Sequence, residues 1–167
     1  AGLGSWWFYA KLGWDVIHIP AVGDFAIGLW YIPLFIFVIL YMAISSNETD
    51  GLDGLNGGVL LIAFTAFTFI AFMHNKADLA SFCAAVSGAL LAFLWFNIYP
   101  ARFFMGDTGA IALGTTLGVV ALLTNSVIAL FIVVAIYGLE SFSVVLQLTS
   151  KRFFGRKIFL AAPLHHH

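Results

Sequence analysis

The chain has 167 residues, of which 62% are hydrophobic and 9% are charged, and its mean hydropathy is +1.03. Soluble domains carry about a quarter charged residues, so this chain could not surround an ordinary core with a water-facing shell. The net charge of −1 excludes a broad basic surface for nucleic acid, and the single cysteine, Cys83, excludes an internal disulfide framework. The composition therefore predicts a protein of the lipid bilayer.

Apolar runs of spanning length follow one another along the chain. A helix needs about 20 apolar residues to cross the hydrocarbon core, and residues 25–46, 54–73, 79–101 and 108–150 supply such runs. The last run is too long for one helix, and its polar residues 124–126 divide it into spans 108–123 and 127–148. Residues 3–12 read as the end of an earlier span, and residues 15–26 as a small extracytoplasmic β-hairpin. The expected fold is an all-α polytopic bundle of about five full spans and a partial N-terminal one, in a single membrane domain, 1–167.

The cations predict the orientation of the bundle. Five spans place the loops 47–53, 101–107 and 149–167 on one face, and five of the seven cations lie there: Arg102, Lys151, Arg152, Arg156 and Lys157. Only Lys11 and Lys76 fall on the other face. The positive-inside rule makes the first face cytoplasmic. Four acidic residues cluster on it as well: Glu48, Asp50, Asp53 and Asp107.

The first polar loop, residues 47–58, contains three carboxylates, two amides and four glycines. Carboxylates can accept hydrogen bonds from a base or a ribose, and glycines allow close backbone approach. A polar turn between helices is the structural alternative, whereas the acid spacing does not match an EF-hand. Carboxylates at a membrane boundary are candidates for function, so both interpretations stay open for this loop.

Three further polar features are candidates for a structural or a functional role. Asp107 precedes the span 108–123, where it is either a helix N-cap or a Mg²⁺ ligand, and the pattern alone favours the cap. The terminal residues His165, His166 and His167 are, in isolation, most simply a purification-tag remnant. Glu140 lies inside a span, where a carboxylate is expected to face the protein interior.

Taken together, the segments NETDGLDGL, Asn97 through PARFFMGDTGA, and GRKIFLAAPLHHH resemble one family closely. That family is the phospho-N-acetylmuramoyl-pentapeptide transferases of bacterial cell-wall synthesis, the MraY family, and the resemblance covers nearly the whole chain. The wider superfamily of polyprenyl-phosphate sugar-1-phosphate transferases shares the first two segments, while APLHHH is specific to the muramoyl-pentapeptide branch. The resemblance therefore makes the three histidines native.

The resemblance implies a Mg²⁺-dependent enzyme of the bacterial inner membrane with its active site on the cytoplasmic face. It would transfer phospho-MurNAc-pentapeptide from UDP-MurNAc-pentapeptide to undecaprenyl phosphate, giving lipid I and UMP. Carried over by position, Asp107 is the catalytic Mg²⁺ ligand and His165 a second catalytic residue. The substrate-binding positions are Asn47, Asp50, Leu52, Asp53, Asn97, Phe104, which would stack on uracil, His166 and His167.

The chain departs from the family pattern at Glu48, a commonly apolar position, and at Ala110, where serine is usual. The family's paired-aspartate motif belongs to its N-terminal half, so we expect this C-terminal half to be inactive alone. Three alternatives stay open: a sister GlcNAc-1-phosphate transferase, a cation-coupled membrane transporter and a structural scaffold. The oligomeric state is also open, and a homodimer is compatible with the sequence.

Overall fold

The computed structural model describes residues 1–19, 23–156, 158 and 163. Within them the chain is helical apart from one small antiparallel hairpin and short connections, which confirms the predicted all-α polytopic class. The hairpin pairs Val16–Ile19 with Gly23–Ala26, with His18 opposite Asp24, and a 3-10 turn, Gly28–Trp30, leads into the second helix. The elements are α1 Gly2–Leu12, β1 Val16–Ile19, β2 Gly23–Ala26, α2 Tyr31–Thr49, α3 Leu55–Met73, α4 Ala77–Asn97, α5 Gly106–Leu123, α6 Val127–Val133 and α7 Ala135–Phe154.

Four helices in the described residues are long and apolar enough to cross a bilayer: Gly28–Thr49, Leu55–Met73, Ala77–Asn97 and Gly106–Leu123. The fifth predicted span, 127–148, is wrong as a continuous helix, because α6 and α7 meet at an angle of 77°. Helical geometry is interrupted at Val134, where φ is −100° and ψ is 33°. If this bent pair crosses once, the number of spans is five, as expected.

The ends of the helices also differ from the predicted ones. The first span does not begin at Phe25, which lies in β2, and α2 continues past Ser46 to Thr49. The Thr49 hydroxyl donates to the Ser45 carbonyl, one turn back along the same helix, at 2.8 Å. Helix α4 ends at Asn97 rather than at residue 101, since Ile98 has an extended backbone just before the Tyr99–Pro100 pair.

Helices α2 and α5 approach each other through glycine. A Cβ added to Gly114 would lie 2.5 Å from the Met42 carbonyl oxygen and 2.6 Å from Ser46 Cβ, and Gly118 one turn later lies over Met42 and Ile39. Lipid offers no hydrophobic drive for helix association, so close packing of small residues supplies much of it. The pair Gly114 and Gly118 therefore fixes the α2–α5 contact at backbone distance.

The fully buried side chains form one core between the helices, led by Tyr31, Met42, Phe64, Phe67, Leu117 and Leu130. Large apolar side chains also cover the outside of the bundle, as Phe69 and Trp95 do with exposed fractions of 66% and 83%. Such a surface suits contact with lipid tails. Glu140 is 6% exposed, which confirms that it faces the interior.

One end of the bundle is closed by the hairpin. The His18 backbone N–H donates to Asn125 Oδ1 at 3.2 Å, and Lys76 Nζ donates to the Leu123 carbonyl. The Lys76 ammonium also lies 5.0 Å from the centre of the Trp14 ring, and burial lowers its pKa. The hairpin, the α3–α4 turn and the α5–α6 turn are thus joined at one end, and the predicted hairpin is confirmed.

Candidate active site

The opposite end of the bundle is where the sequence-predicted site residues meet. Helices α2 and α4 end there, and α3 and α5 begin there, so the connections 50–54 and 98–105 lie side by side. We call this region the acidic end, because Asp50, Asp53 and Asp107 all belong to it. The remaining predicted residues of the first two motifs lie in or next to the same connections: Asn47, Leu52, Asn97 and Phe104.

Asp53 and Asn97 join the two connections. The Ala101 backbone N–H donates to Asp53 Oδ2 at 3.0 Å. The Gly54 N–H donates to Asn97 Oδ1 at 3.0 Å, and Asn97 Nδ2 donates to the Phe103 carbonyl, also at 3.0 Å. Gly54 has a φ of +76°, which glycine adopts without a Cβ penalty. The side chains of Asp53 and Asn97 are therefore engaged with backbone, and Asn97 is only 4% exposed.

Asp50 and Asp107 bring two negative charges together at the acidic end. Burial raises the pKa of the Asp50 carboxyl, and the charge of Asp107 acts in the same direction. Hydrogen bonding with the Asn56 side chain and the Gly106 backbone opposes that rise. Two neighbouring carboxylates are most stable when a cation or a hydrogen-bond donor lies between them. This arrangement can therefore hold a cation.

Asp107 is not a helix cap, so the interpretation that the pattern alone favoured is wrong. Helix α5 begins at Gly106, Met105 occupies the N-cap position, and no side chain makes a capping hydrogen bond there. Asp107 lies inside the first turn, where its charge complements the helix dipole. Its side chain is exposed, which leaves the carboxylate accessible to a ligand.

Two apolar residues of the site stand open to solvent. Leu52 is 50% exposed and Phe104 is 69% exposed. An exposed aromatic ring beside carboxylates can stack on a planar base. Asn47 lies in the last turn of α2, where its carbonyl accepts the Asp50 N–H at 3.2 Å, and its side chain is half-buried.

The predicted histidines, His165, His166 and His167, lie outside the described residues, as does Lys157. Their position relative to Asp50 and Asp107 therefore stays a prediction. Among the residues that the structure does describe, no three His, Cys, Asp or Glu side chains form a metal cluster. The acidic end offers two carboxylates rather than a closed cage.

Sequence reasoning missed the buried polar group beneath the acidic end. Asn56, in the first turn of α3, accepts hydrogen bonds from Tyr137 Oη at 2.5 Å and from Ser46 Oγ at 3.2 Å. A second missed contact joins α2 to α7, where Ser141 Oγ donates to Glu48 Oε2 at 3.0 Å. An asparagine at the start of an apolar run is a signal that a polar partner must exist, but the sequence does not say which.

The fold and the site together define a class. A bundle whose described residues include four helices long and apolar enough to cross a membrane, with carboxylates, an exposed aromatic ring and glycine turns collected at one end, is typical of a multi-pass membrane enzyme acting on a polar ligand at the interface. The particular family follows from comparison with known proteins.

The chain belongs to glycosyl transferase family 4, whose profile matches residues 3–125. It is 42% identical over 168 residues to the phospho-N-acetylmuramoyl-pentapeptide-transferase of Clostridium perfringens, covering 100% of this chain and 53% of the relative. It is 44% identical over 160 residues to the enzyme of that name from Chloroflexus aurantiacus, covering 91% and 44% respectively. The Geobacillus relative of that name is 41% identical over 161 residues, covering 95% and 50%.

These matches confirm the resemblance drawn from the three sequence segments. The chain spans about half the length of the curated relatives that it matches.

Proposed function

We propose that this chain forms the C-terminal half of a phospho-N-acetylmuramoyl-pentapeptide transferase. The reaction moves phospho-MurNAc-pentapeptide from its UDP carrier to undecaprenyl phosphate and yields lipid I and UMP. The observation that carries the proposal is the meeting of the two acidic motifs at one end of a membrane bundle, where the Ala101 N–H donates to Asp53 and the Gly54 N–H donates to Asn97, both at 3.0 Å. The relatives that carry this activity in their names support the same reading.

The proposed roles follow the family resemblance, carried over position by position. Asp107 binds the catalytic Mg²⁺, and Asp50 lines the nucleotide site beside it. Phe104 supplies an exposed ring for uracil, with Leu52 next to the base. The side chains of Asp53 and Asn97 hydrogen-bond to backbone. They contribute to nucleotide binding by holding the connections 50–54 and 98–105 in fixed positions relative to each other. The other proposed site residues are Asn47, His166 and His167 for substrate, and His165 for catalysis.

The donor set at the acidic end fits Mg²⁺. This ion usually takes one or two protein carboxylates and completes its shell with water and substrate phosphate. Asp107 is exposed in the first turn of α5, and Asp50 lies within electrostatic range of it. A bound Mg²⁺ would neutralise charge on the diphosphate during transfer.

The bond exchange is the same for a direct and for a covalent route. An oxygen of the lipid phosphate ends bonded to the β-phosphorus of the donor, and the bond from that phosphorus to the bridging oxygen breaks. UMP leaves with the bridging oxygen and its electron pair. Asp107 and the exposed connection 98–105 hold the diphosphate in place, and positioning of this kind accounts for much of catalysis in phosphoryl transfer.

The proposed location is the bacterial inner membrane with the acidic end in the cytoplasm. Arg102, Lys151, Arg152 and Arg156 belong to that side of the sequence-derived topology, whereas Lys11 and Lys76 belong to the other. Water-soluble UDP-sugar would then reach the acidic end from the cytoplasm, and undecaprenyl phosphate would reach it from the bilayer. The chain would form one membrane domain within a longer protein.

The test is a transfer assay on the complete protein, because residues 1–167 contain no adjacent pair of aspartates. Radiolabelled UDP-MurNAc-pentapeptide and undecaprenyl phosphate should give labelled lipid with the wild type, and Asp107→Asn should lower the rate at least about a hundredfold. Asp78→Asn is the matched control, since Asp78 is an exposed aspartate in the first turn of α4 at the opposite end.

Three outcomes would overturn the proposal. Equal transfer by wild type and Asp107→Asn would remove Asp107 from the chemistry. Preferred use of UDP-GlcNAc as donor would instead identify a sister transferase, and a cation flux that survives Asp107→Asn in a protein without transfer activity would identify a transporter.

A further inference from the structure

A cavity opens at the hairpin end of the bundle, opposite the acidic end. Its volume is about 580 Å³. It lies where three spans stop, since α3 ends at Met73, α4 begins at Ala77 and α5 ends at Leu123. The residues that line it include Trp14, Lys76, Asp78, Leu79, Phe82 and Leu123. The cavity therefore lies at the boundary between the hydrocarbon core and the headgroup layer of a bilayer.

Lys76 brings to the cavity a positive charge that no described carboxylate neutralises. Its Nζ donates to the Leu123 carbonyl and lies 5.0 Å from the centre of the Trp14 ring, and both of these partners are uncharged. The ion pair found in the described part of the chain joins His18 to Asp24 instead. Because an ammonium has three N–H donors, Lys76 keeps the capacity to hydrogen-bond an anion.

Asp78 brings a negative charge to the same cavity. It is exposed in the first turn of α4 and forms no ion pair with Lys76 or with any other described cation. A purely anionic ligand would be attracted by Lys76 and repelled by Asp78. A head group that carries one charge of each sign matches the cavity.

The membrane side of the cavity is apolar. Phe82 lies about 8 Å deeper than Ala77 along α4, at 1.5 Å per residue, and is 46% exposed. Leu79 lines the cavity between them. A tryptophan such as Trp14 is typical of the membrane interface. A lipid with its head group in the cavity would place its chains beside Phe82, a contact that a soluble head group cannot make.

We infer that this cavity binds a phospholipid whose phosphate is followed by a primary ammonium, as in phosphatidylethanolamine. The phosphate accepts a hydrogen bond from Lys76 Nζ, the ammonium of the lipid donates to the Asp78 carboxylate, and the acyl chains lie against Phe82. The site is at the opposite end of the bundle from the proposed active site, so the inference does not depend on the proposed function.

The experiment measures lipid binding to the purified, delipidated complete protein by native mass spectrometry. The probes are phosphatidylethanolamine, phosphatidylglycerol and phosphatidylcholine with identical acyl chains. We expect the wild type to bind phosphatidylethanolamine about tenfold more tightly than the other two. The reason is that this lipid alone among the three combines a phosphate with an ammonium that has N–H donors, and hydrogen bonds between charged groups are the stronger ones.

Two variants test the two charges separately. Lys76→Gln removes the cation and should weaken binding of phosphatidylethanolamine about tenfold. Asp78→Asn removes the anion and should abolish the preference over phosphatidylglycerol, because the cavity then carries a net positive charge. Asp78 forms no ion pair in the described structure, so this variant tests the site even if Lys76→Gln loosens the contact with Leu123.

Lys11→Gln is the matched control. Lys11 is an exposed lysine in the last turn of α1, close to the same end of the bundle, and it does not line the cavity. Its replacement should leave the affinity for each of the three lipids within about twofold.

Four results would overturn the inference. The first is equal binding of the three lipids by the wild type, and the second is wild-type affinity for phosphatidylethanolamine in Lys76→Gln. The third is a preference over phosphatidylglycerol that survives Asp78→Asn. The fourth is displacement of the lipid by an equal concentration of soluble phosphoethanolamine, which would show that the acyl chains contribute nothing. None of these results changes the expected transfer of phospho-sugar, which is measured separately.

Discussion

The carboxamide of Asn97 connects two segments that are far apart in sequence. Its oxygen accepts the Gly54 N–H across 43 residues, and its nitrogen donates to the Phe103 carbonyl across six residues. The side chain is buried, so water cannot replace either bond without opening the structure. Asn97 thereby sets the position of the loop that carries Arg102 and Phe104.

Asn97→Asp tests this connection. The substitution keeps the shape and the acceptor for Gly54 but replaces the donor to Phe103 with a second acceptor, and it should destabilise the protein by about 1–3 kcal/mol. Arg102 is exposed within the same loop, so trypsin should cleave after it faster in the variant. The measurement is the rate of that cleavage in detergent, followed by mass spectrometry.

Asn75→Asp is the control for charge, because Asn75 is exposed and its φ of +57° is one that aspartate tolerates. It should leave cleavage after Arg102 unchanged. An unaltered rate in Asn97→Asp would mean that other contacts hold the loop.

Residue types were predictable at this scale, but partners were not. The acidic and amide positions of the motifs could be named from the sequence because carboxylates at a membrane boundary need a reason to be there. That Asp53 bonds to the Ala101 N–H, or that Asn56 meets Tyr137 across 81 residues, depends on helix packing. The sequence pattern favours Asp107 as a cap because it predicts a helix start at residue 108, whereas α5 starts two residues earlier, at Gly106.

At the scale of elements, the closest contact is the crossing of α2 and α5. Gly114→Ala would place a methyl group 2.5 Å from the Met42 carbonyl oxygen. The clash can be relieved only if α2 and α5 move apart, so we expect the free energy of unfolding to fall by about 1–3 kcal/mol. Unfolding in mixed micelles with increasing dodecyl sulfate would measure it.

Gly88→Ala serves as the control, since a Cβ at Gly88 in α4 meets nothing within 4 Å. The same methyl group there should be neutral or slightly stabilising, as expected for glycine replaced by alanine inside a helix. Equal stability of the two variants would show that the crossing can relax.

Hydropathy located the spans because length and the absence of charge are properties of composition. It could not locate the interruption at Val134. The residues around it are apolar and include no proline, so nothing in the pattern separates α6 from α7. Hydropathy averaged over a window of residues carries no information on tertiary contacts, such as those that Tyr137 makes at the start of α7.

At the scale of the whole molecule, the two ends of the bundle should face different compartments. His74 is exposed in the α3–α4 turn, and Leu52 is exposed at the acidic end. With His74→Cys and Leu52→Cys in the complete protein, a membrane-impermeant maleimide added to intact cells should label only the first. Permeabilised cells should show labelling of both.

Native Cys83 is fully buried in α4, so its background reaction should be small, and the unsubstituted protein measures it. Labelling of Leu52→Cys rather than His74→Cys in intact cells would reverse the orientation and place the acidic end outside.

The glycine crossing of α2 and α5 has a consequence for the carboxylates at the interface. Asp107, in the first turn of α5, lies about 10 Å along the helix axis from Gly114, and Asp50, the residue after α2, lies about 12 Å from Met42, at 1.5 Å per residue. Because α2 and α5 are in backbone contact at Gly114, their crossing limits the distance between the ends of the two helices. The distance between the Asp50 and Asp107 carboxylates therefore depends on the helix contact at Gly114. A methyl group added at Gly114 would push α2 and α5 apart and would move the two carboxylates away from each other.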